Sequence, residues 1–275
     1  MAVSTRYPVM VIGGAEDKVN KRDILSTFFA GSLAQKAVIG VIPCASREPL
    51  IVGDRYFQIF QEMGASHVQI LDIRHPQESN DARWLEVLDH CTGVFVTGGD
   101  QLRLCDLIGG SLLIQRLKDR VNRGEMVLAG TSAGAAMMGE KMIAGGSSGE
   151  PPNRALVDLT DGLGILPELL VDQHFHNRNR MARLMSAIAA HPDKLGIGID
   201  EDTCVATLGD GTFQVLGQGT VTVIDPGELT HSNHAQISDT APLSLHNLRV
   251  HVLSRGDRYD YQDRQIRSTS TISDS

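Results

Sequence analysis

Short β-branched runs recur through the first half of the chain, at residues 9–12, 38–42, 68–71, 94–97 and 126–129, separated by longer amphipathic stretches. This alternation is the pattern of a parallel sheet whose strands are joined by right-handed helical crossovers. Residues 21–35, 49–63, 81–90, 102–108 and 112–123 carry the helical periodicity. A parallel sheet must be covered on both faces, and 275 residues, 41% of them apolar, suffice for one α/β domain of that kind. After about residue 195 the text changes to glycine-punctuated runs at 196–200, 203–208, 213–216 and 221–224, which predict added, largely antiparallel strands. No linker composition divides residues 1–275, and the polar, Ser/Thr-rich end from about 264 to 275 reads as a frayed tail.

Each early strand closes on glycine or on a polar cluster: Gly13-Gly14, Pro43-Cys44-Ala45-Ser46, Gly98-Gly99-Asp100 and Gly130-Thr131-Ser132. In an open α/β sheet, ligands gather outside the carboxyl ends of the strands, so these four loops are where chemistry is expected.

Composition narrows that chemistry. A net charge of −8 repels nucleic-acid phosphates and anionic lipid headgroups, which argues against both as partners. Cys44, Cys91, Cys105 and Cys204 have neither CxxC spacing nor the density of a secreted disulfide scaffold, so they read as reduced, mostly buried residues of a cytoplasmic protein. The N-terminus passes into a strand-like run without signal-peptide architecture, and no apolar run approaches the length of a membrane helix.

Gly130-Thr131-Ser132-Ala133-Gly134 fits G-x-S-x-G, with an apolar strand before it and Ala135-Ala136-Met137-Met138 able to begin a helix after it. A strand-to-helix elbow requires small flanking residues, because the chain turns sharply to expose the serine hydroxyl and to aim backbone N–H groups at one point. Ser132 is therefore the candidate nucleophile, with oxyanion donors expected from the N–H of Ala133 and from the Gly98-Gly99 turn, Gly99 in particular. Gln101, beside that turn, is a candidate substrate contact. Ser147 and Ser148 lack the strand-to-helix context, and their glycine-rich segment reads as a mobile loop at the active site.

A serine hydroxyl is weak unaided and needs a base held by an acid. His174 and His176 follow Leu170-Val171-Asp172-Gln173 in a strand-like run, on one face if the strand continues, and periodicity does not choose between them. Asp200, Glu201 and Asp202 end another such run and offer three carboxylates, whose faces the sequence leaves unoriented. A metal site on both histidines finds no third ligand at telling spacing.

The blocks Gly13-Gly14-Ala15-Glu16-Asp17, Thr97-Gly98-Gly99-Asp100-Gln101, Gly130-Thr131-Ser132-Ala133-Gly134-Ala135, Asp172-Gln173-His174-Phe175-His176-Asn177-Arg178 and Gly198-Ile199-Asp200-Glu201 together resemble the cyanophycinase family. That family is related to aspartyl dipeptidases and, more distantly, to class I glutamine amidotransferases. The resemblance implies a flavodoxin-like layered α/β fold and a triad of Ser132, His174 and Glu201. It further implies no metal or organic cofactor, a homodimer, and release of β-aspartyl-arginine dipeptides from cyanophycin. A polymer with an arginine on each aspartate offers carboxylates and guanidinium groups. Arg178, Arg180 and Arg183 are accordingly expected to grip carboxylates, Asp172 to accept guanidinium groups, and Gln173 to contact substrate. Glu16, Asp17 and Glu150 lie in plausible rim loops for the same purpose.

Overall fold

In the computed structural model, which describes residues 7–267, the five β-branched runs form strands β1 (Val9–Ile12), β2 (Val38–Ile42), β3 (His67–Ile70), β4 (Gly93–Val96) and β5 (Val127–Thr131). Helices α1 (Asp23–Gly31), α2 (Pro49–Glu62), α3 (Ala82–His90), α4 (Gln101–Ile108) and α5 (Leu112–Asn122) connect them. Their starts are written locally. Pro49 occupies the first turn of α2, where its missing N–H costs nothing. The Asp100 carboxylate caps α4, accepting from the N–H groups of Leu102 and Arg103 at 2.9 and 3.1 Å.

The five strands are parallel in the order β3-β2-β4-β5-β1. The order reverses at β2, so the loops after β2 and β4 flank a crevice at the carboxyl edge. The elbow helix α6 (Ala133–Ala136) follows β5, and a hairpin of β6 (Lys141–Gly146) and β7 (Val157–Asp161) follows α6. Gly145 and Gly146 thus lie in a paired strand, leaving Ser147–Gly149 as the turn side of the segment read as a loop.

The second half supplies the added, largely antiparallel strands and divides them between two sheets. Strand β8 (Leu169–Gln173) leads through α7 (Met181–Ala190) to β9 (Leu195–Ile199), and the chain continues as β10 (Thr203–Thr207), β11 (Thr212–Gly217) and β12 (Val221–Asp225). Two-residue strands β13 (His231–Ser232) and β14 (Leu245–His246) precede β15 (Arg249–Leu253), β16 (Arg258–Asp260) and β17 (Gln265–Arg267). Only β10, β11, β16 and β17 extend the large sheet, antiparallel, beyond β1. Strands β9 and β12 instead belong to a second sheet, β15-β12-β9-β8, in which β9 runs parallel to β8. The sequence could not separate the two sheets because β9, β10 and β12 are all buried on both faces and carry no alternation.

One face of the large sheet, with Met10, Ile12, Val41 and Phe95, packs on α1 and α2. The rings of Phe28 and Tyr56 stand 5.5 and 4.6 Å from that of Phe95, and burying side chains of this size contributes about 1.5–3 kcal/mol each. The opposite face, with Val11, Val94 and Leu128, meets α3 to α6 and the second sheet. Helix α7 closes the far side of that sheet with Leu184, Ala187 and Ile188.

Residues 264–267, read in the sequence as the start of a frayed tail, make contacts with the rest of the chain. The Arg264 guanidinium lies 2.9 Å from the buried Asp225 carboxylate, and β17 pairs with β16. Residues 268–275 of that expected tail lie outside the described residues. Among the described residues no helix is long and apolar enough to cross a membrane.

Candidate active site

Ser132 stands between β5 and α6 at φ 53°, ψ −109°, a conformation that L side chains rarely adopt. Such strain persists only where the surroundings over-determine it. Small neighbours permit the turn: a Cβ at Gly130 would stand 2.2 Å from the Gly134 carbonyl oxygen, and one at Gly98 would stand 3.2 Å from Cβ of Ser132. The Ser132 N–H donates to the Ile12 carbonyl at 3.0 Å, tying the elbow to the end of β1.

From the second sheet come the two other members of a hydrogen-bonded chain. Ser132 Oγ lies 3.0 Å from His174 Nε2, and His174 Nδ1 lies 2.6 Å from Glu201 Oε1. The parallel register that pairs Gln173 with Ile199 sets the ends of β8 and β9 side by side, so the residues just beyond them meet. His174 leaves β8 at φ 48°, and its N–H donates to the Gly13 carbonyl at 2.8 Å. A Cβ at Gly14 would come within 2.4 Å of the imidazole, so the β1 loop is a wall against which the ring rests.

The two histidines do not share a strand face. The strand ends at Gln173, and His176 opens a short 3-10 turn, exposed, with Nδ1 and its own N–H both 2.9 Å from Asp200 Oδ1. Asp200 also accepts from the Thr220 hydroxyl at 2.7 Å, and Asp202 accepts the Asp17 N–H at 2.9 Å. The three acids therefore diverge because 200–202 is a turn rather than a strand, with only Glu201 directed at His174.

Burial is the largest influence on His174 and pulls its pKa below the ordinary imidazole value; the Glu201 hydrogen bond opposes it, and the Arg178 and Arg180 guanidinium groups add to it. The shift favours the neutral imidazole, the form able to accept a proton.

Gly99 at φ 147° closes against the loop after β2, where the Asp100 N–H donates to the Ala45 carbonyl at 2.9 Å. The N–H groups of Gly99 and Ala133 take part in none of the loop and cap hydrogen bonds of the described residues. Beside this turn lies an open cavity of about 460 Å³ lined by Ser46, Arg47, Gly99, Gln101 and Ala144 among others. Ser46 belongs to the Pro43-Cys44-Ala45-Ser46 cluster that closes β2, whereas Arg47, the next residue, was not singled out in the sequence. Gln101 is pinned there, its amide donating to the Ile143 and Ala144 carbonyls at 3.1 and 2.7 Å.

Most of the polar set expected to grip substrate has internal partners. Asp172 and Arg183 are buried as a pair, with Arg183 Nε 2.9 Å from Asp172 Oδ2 and Nη2 on Oδ1. The reason is position: β8 is buried on every residue, and α7 turns Arg183 inward against it. Gln173 is buried too, and its carbonyl groups accept from Arg180 Nη1, which also reaches Asp172. Burial depresses the Arg180 pKa to about 10 despite Asp172. The exposed member of the group is Arg178. Glu16 and Asp17, expected at the rim, are likewise engaged: Glu16 is 2% exposed, and the Asp17 carboxylate accepts backbone N–H groups of Val19, Asn20, Lys21 and Arg22, which hold it well below the usual carboxylate range.

The family model described as peptidase family S51 matches residues 9–215. The chain is 57% identical over 263 residues to the cyanophycinase of Trichormus variabilis, covering 96% of this chain and 88% of that one. It is 55% identical over 260 residues to the cyanophycinase of Geminocystis herdmanii, covering 94% and 96%. Among solved structures, a peptidase from an acI-B1 Actinobacterium superposes with a TM-score of 0.67 at 19% identity over 92% of this chain and 96% of that one, a likeness of fold. The matched segment contains β1, the elbow and the His174 and Glu201 turns, and the chain belongs to peptidase family S51.

Proposed function

We propose that this chain is a serine peptidase that degrades cyanophycin to β-aspartyl-arginine dipeptides through an acyl-enzyme. The observation that carries this reading is the Ser132–His174–Glu201 chain, on a sequence 54–57% identical to several cyanophycinases over nearly its whole length.

Ser132 Oγ attacks a backbone carbonyl carbon of the polymer while its proton passes to His174 Nε2, and the carbonyl oxygen takes the negative charge. The N–H groups of Gly99 and Ala133 are the donors for that oxyanion, each worth about 3–4 kcal/mol to the transition state. Glu201 holds the Nδ1–H tautomer and stabilises the imidazolium. Collapse of the intermediate breaks the C–N bond, and His174 returns the proton to the leaving amine. A water then loses its proton to His174, attacks the acyl carbon and releases Ser132.

For recognition, the exposed Arg178 and the largely buried Arg180 are cations whose charge is felt at His174, and Arg47 lines the cavity beside Gly99. These three supply the carboxylate contacts of a polymer with an arginine carboxylate on every unit, while the buried Asp172–Arg183 pair shapes the wall behind them. The protein acts in the cytoplasm as a homodimer.

An aspartyl dipeptidase would use the same three residues on small peptides. Incubation with purified cyanophycin, followed by mass analysis of the products, separates the two readings. β-Aspartyl-arginine released from polymer supports the first, and hydrolysis of aspartyl dipeptides with the polymer untouched would overturn it.

A further inference from the structure

Behind the elbow lies a buried carboxylate that the triad does not use. Glu16 sits in the loop after β1, with its side chain fully buried and the residue 2% exposed. Three donors converge on it. The Thr131 hydroxyl donates to Oε2 at 2.5 Å, the Tyr56 hydroxyl donates to Oε1, and the Lys18 ammonium lies 3.0 Å from Oε1. Burial, and after it the neighbouring Glu16, raise the Tyr56 pKa well above the ordinary phenol value, so Tyr56 stays a donor. Tyr56 and Thr131 are each 3% exposed, and neither they nor Glu16 can touch a polymer.

The placement of these groups is what matters. Thr131 is the last residue of β5 and immediately precedes Ser132, whose backbone is held at a strained positive φ. The end of β1 and the loop that follows it, which carries Glu16, give the Ile12 carbonyl to the Ser132 N–H, the Gly13 carbonyl to the His174 N–H and the Gly14 carbonyl to the Asp202 N–H, at 3.0, 2.8 and 2.9 Å. One segment therefore touches the backbone of the nucleophile, of the base and of the residue after the acid. Residues Ala15, His174 and Asp202 within this arrangement also have positive φ, so several strained turns lean on one another. What fixes the loop against α2 and β5 is Glu16, through Tyr56 on the first and Thr131 on the second.

We infer that Glu16, with Tyr56 and Thr131, forms a buried clamp that positions Ser132 relative to His174, and that these three are positioning residues of the reaction. The inference rests on the reading of Ser132 as nucleophile and adds to it. Its consequence is a separation of kinetic constants. Reaching no substrate, the clamp leaves KM alone; setting the distance between nucleophile and base, it governs kcat, because small displacements of reacting groups are costly. Glu201, Arg178 and Arg180 are the charges with the largest influence on His174 and the clamp is not among them, so the pH profile keeps its acid limb.

The test uses Thr131→Val, which keeps shape and removes the donor, Thr131→Ser, which restores it, and Tyr56→Phe. Each folded variant is assayed for kcat and KM on cyanophycin, for the pH profile, and for the rate of labelling by a fluorophosphonate. Thr131→Val is expected to lower kcat and the labelling rate about ten- to a hundredfold with KM and the acid limb unmoved. Thr131→Ser should recover most of that loss, and Tyr56→Phe should show a smaller loss of the same kind. A folded Thr131→Val enzyme with wild-type kcat overturns the inference; should that variant fail to fold, wild-type kcat in Tyr56→Phe overturns it. A loss confined to KM, or shared equally by Thr131→Ser, also counts against the clamp. If wild-type protein were neither labelled nor active, the nucleophile itself would be misassigned and the clamp would fall with it.

Discussion

His174 Nδ1 and Glu201 Oε1 lie 2.6 Å apart across 27 residues of sequence, while His176, two positions along, is turned to Asp200. The partition of two histidines between two neighbouring carboxylates distinguishes their roles. His174→Ala is expected to lose about 10⁴-fold or more in single-turnover rate, Glu201→Gln about as much or somewhat less, and His176→Ala less than about tenfold. Circular dichroism establishes that each variant folds. A dead His176→Ala beside a mild His174→Ala would reassign the base.

Ser132→Ala should abolish hydrolysis and fluorophosphonate labelling while the melting temperature stays within a few degrees of wild type. Alanine keeps a Cβ, so it tolerates the φ 53° elbow no worse than serine does. Retained turnover would remove Ser132 from the mechanism.

The acid limb of kcat/KM reports the free enzyme's base. On the proposed mechanism His174 acts when neutral, and burial with Arg178 and Arg180 outweighs Glu201 and lowers its pKa, so activity should persist below the pH of an ordinary imidazole, near 6.5. Removing a cation raises the pKa of a nearby imidazole. Arg178→Ala is therefore expected to move the limb to higher pH, and Arg178→Lys to leave it close to wild type. Movement to lower pH would contradict this electrostatic account.

Gly14 lies against the His174 ring and cannot carry a side chain there without displacing it. A methyl group at this position would meet the His174 ring at 2.4 Å, on a backbone already at φ 100°. Gly14→Ala should cut kcat about a hundredfold, whereas Gly124→Ala, strained in the same way at φ 69° but with an added Cβ that meets nothing within 4 Å, should leave it unchanged. Equal kinetics for the two variants would refute the idea that the β1 loop is a wall for the imidazole.

Asp172 and Arg183 test a structural role against a substrate role. Breaking a buried ion pair by removing one partner costs about 3–5 kcal/mol, so Arg183→Ala should lower the midpoint of urea unfolding markedly. Unchanged stability with a raised KM would instead return Arg183 to the substrate pocket.

The local part of this molecule was legible in its residues. β-Branched runs bounded by glycine locate the five parallel strands, and G-x-S-x-G between a strand and a helix marks the elbow, because both depend on backbone conformation and side-chain size within a few positions. Resemblance of the motif blocks further selected His174 over His176 and Glu201 over its neighbours, a choice that periodicity had left open. Tertiary structure decided the rest. It split the late strands between two sheets, bound Asp172 to Arg183 instead of exposing both, and drew Glu16 from an expected rim to a place beneath Thr131. Charged residues look alike in a sequence whether they face water or one another. Only the folded chain fixes which buried charge has which partner, because those partners, such as Glu16 and Thr131, come from strand ends more than a hundred residues apart and meet through sheet register and packing.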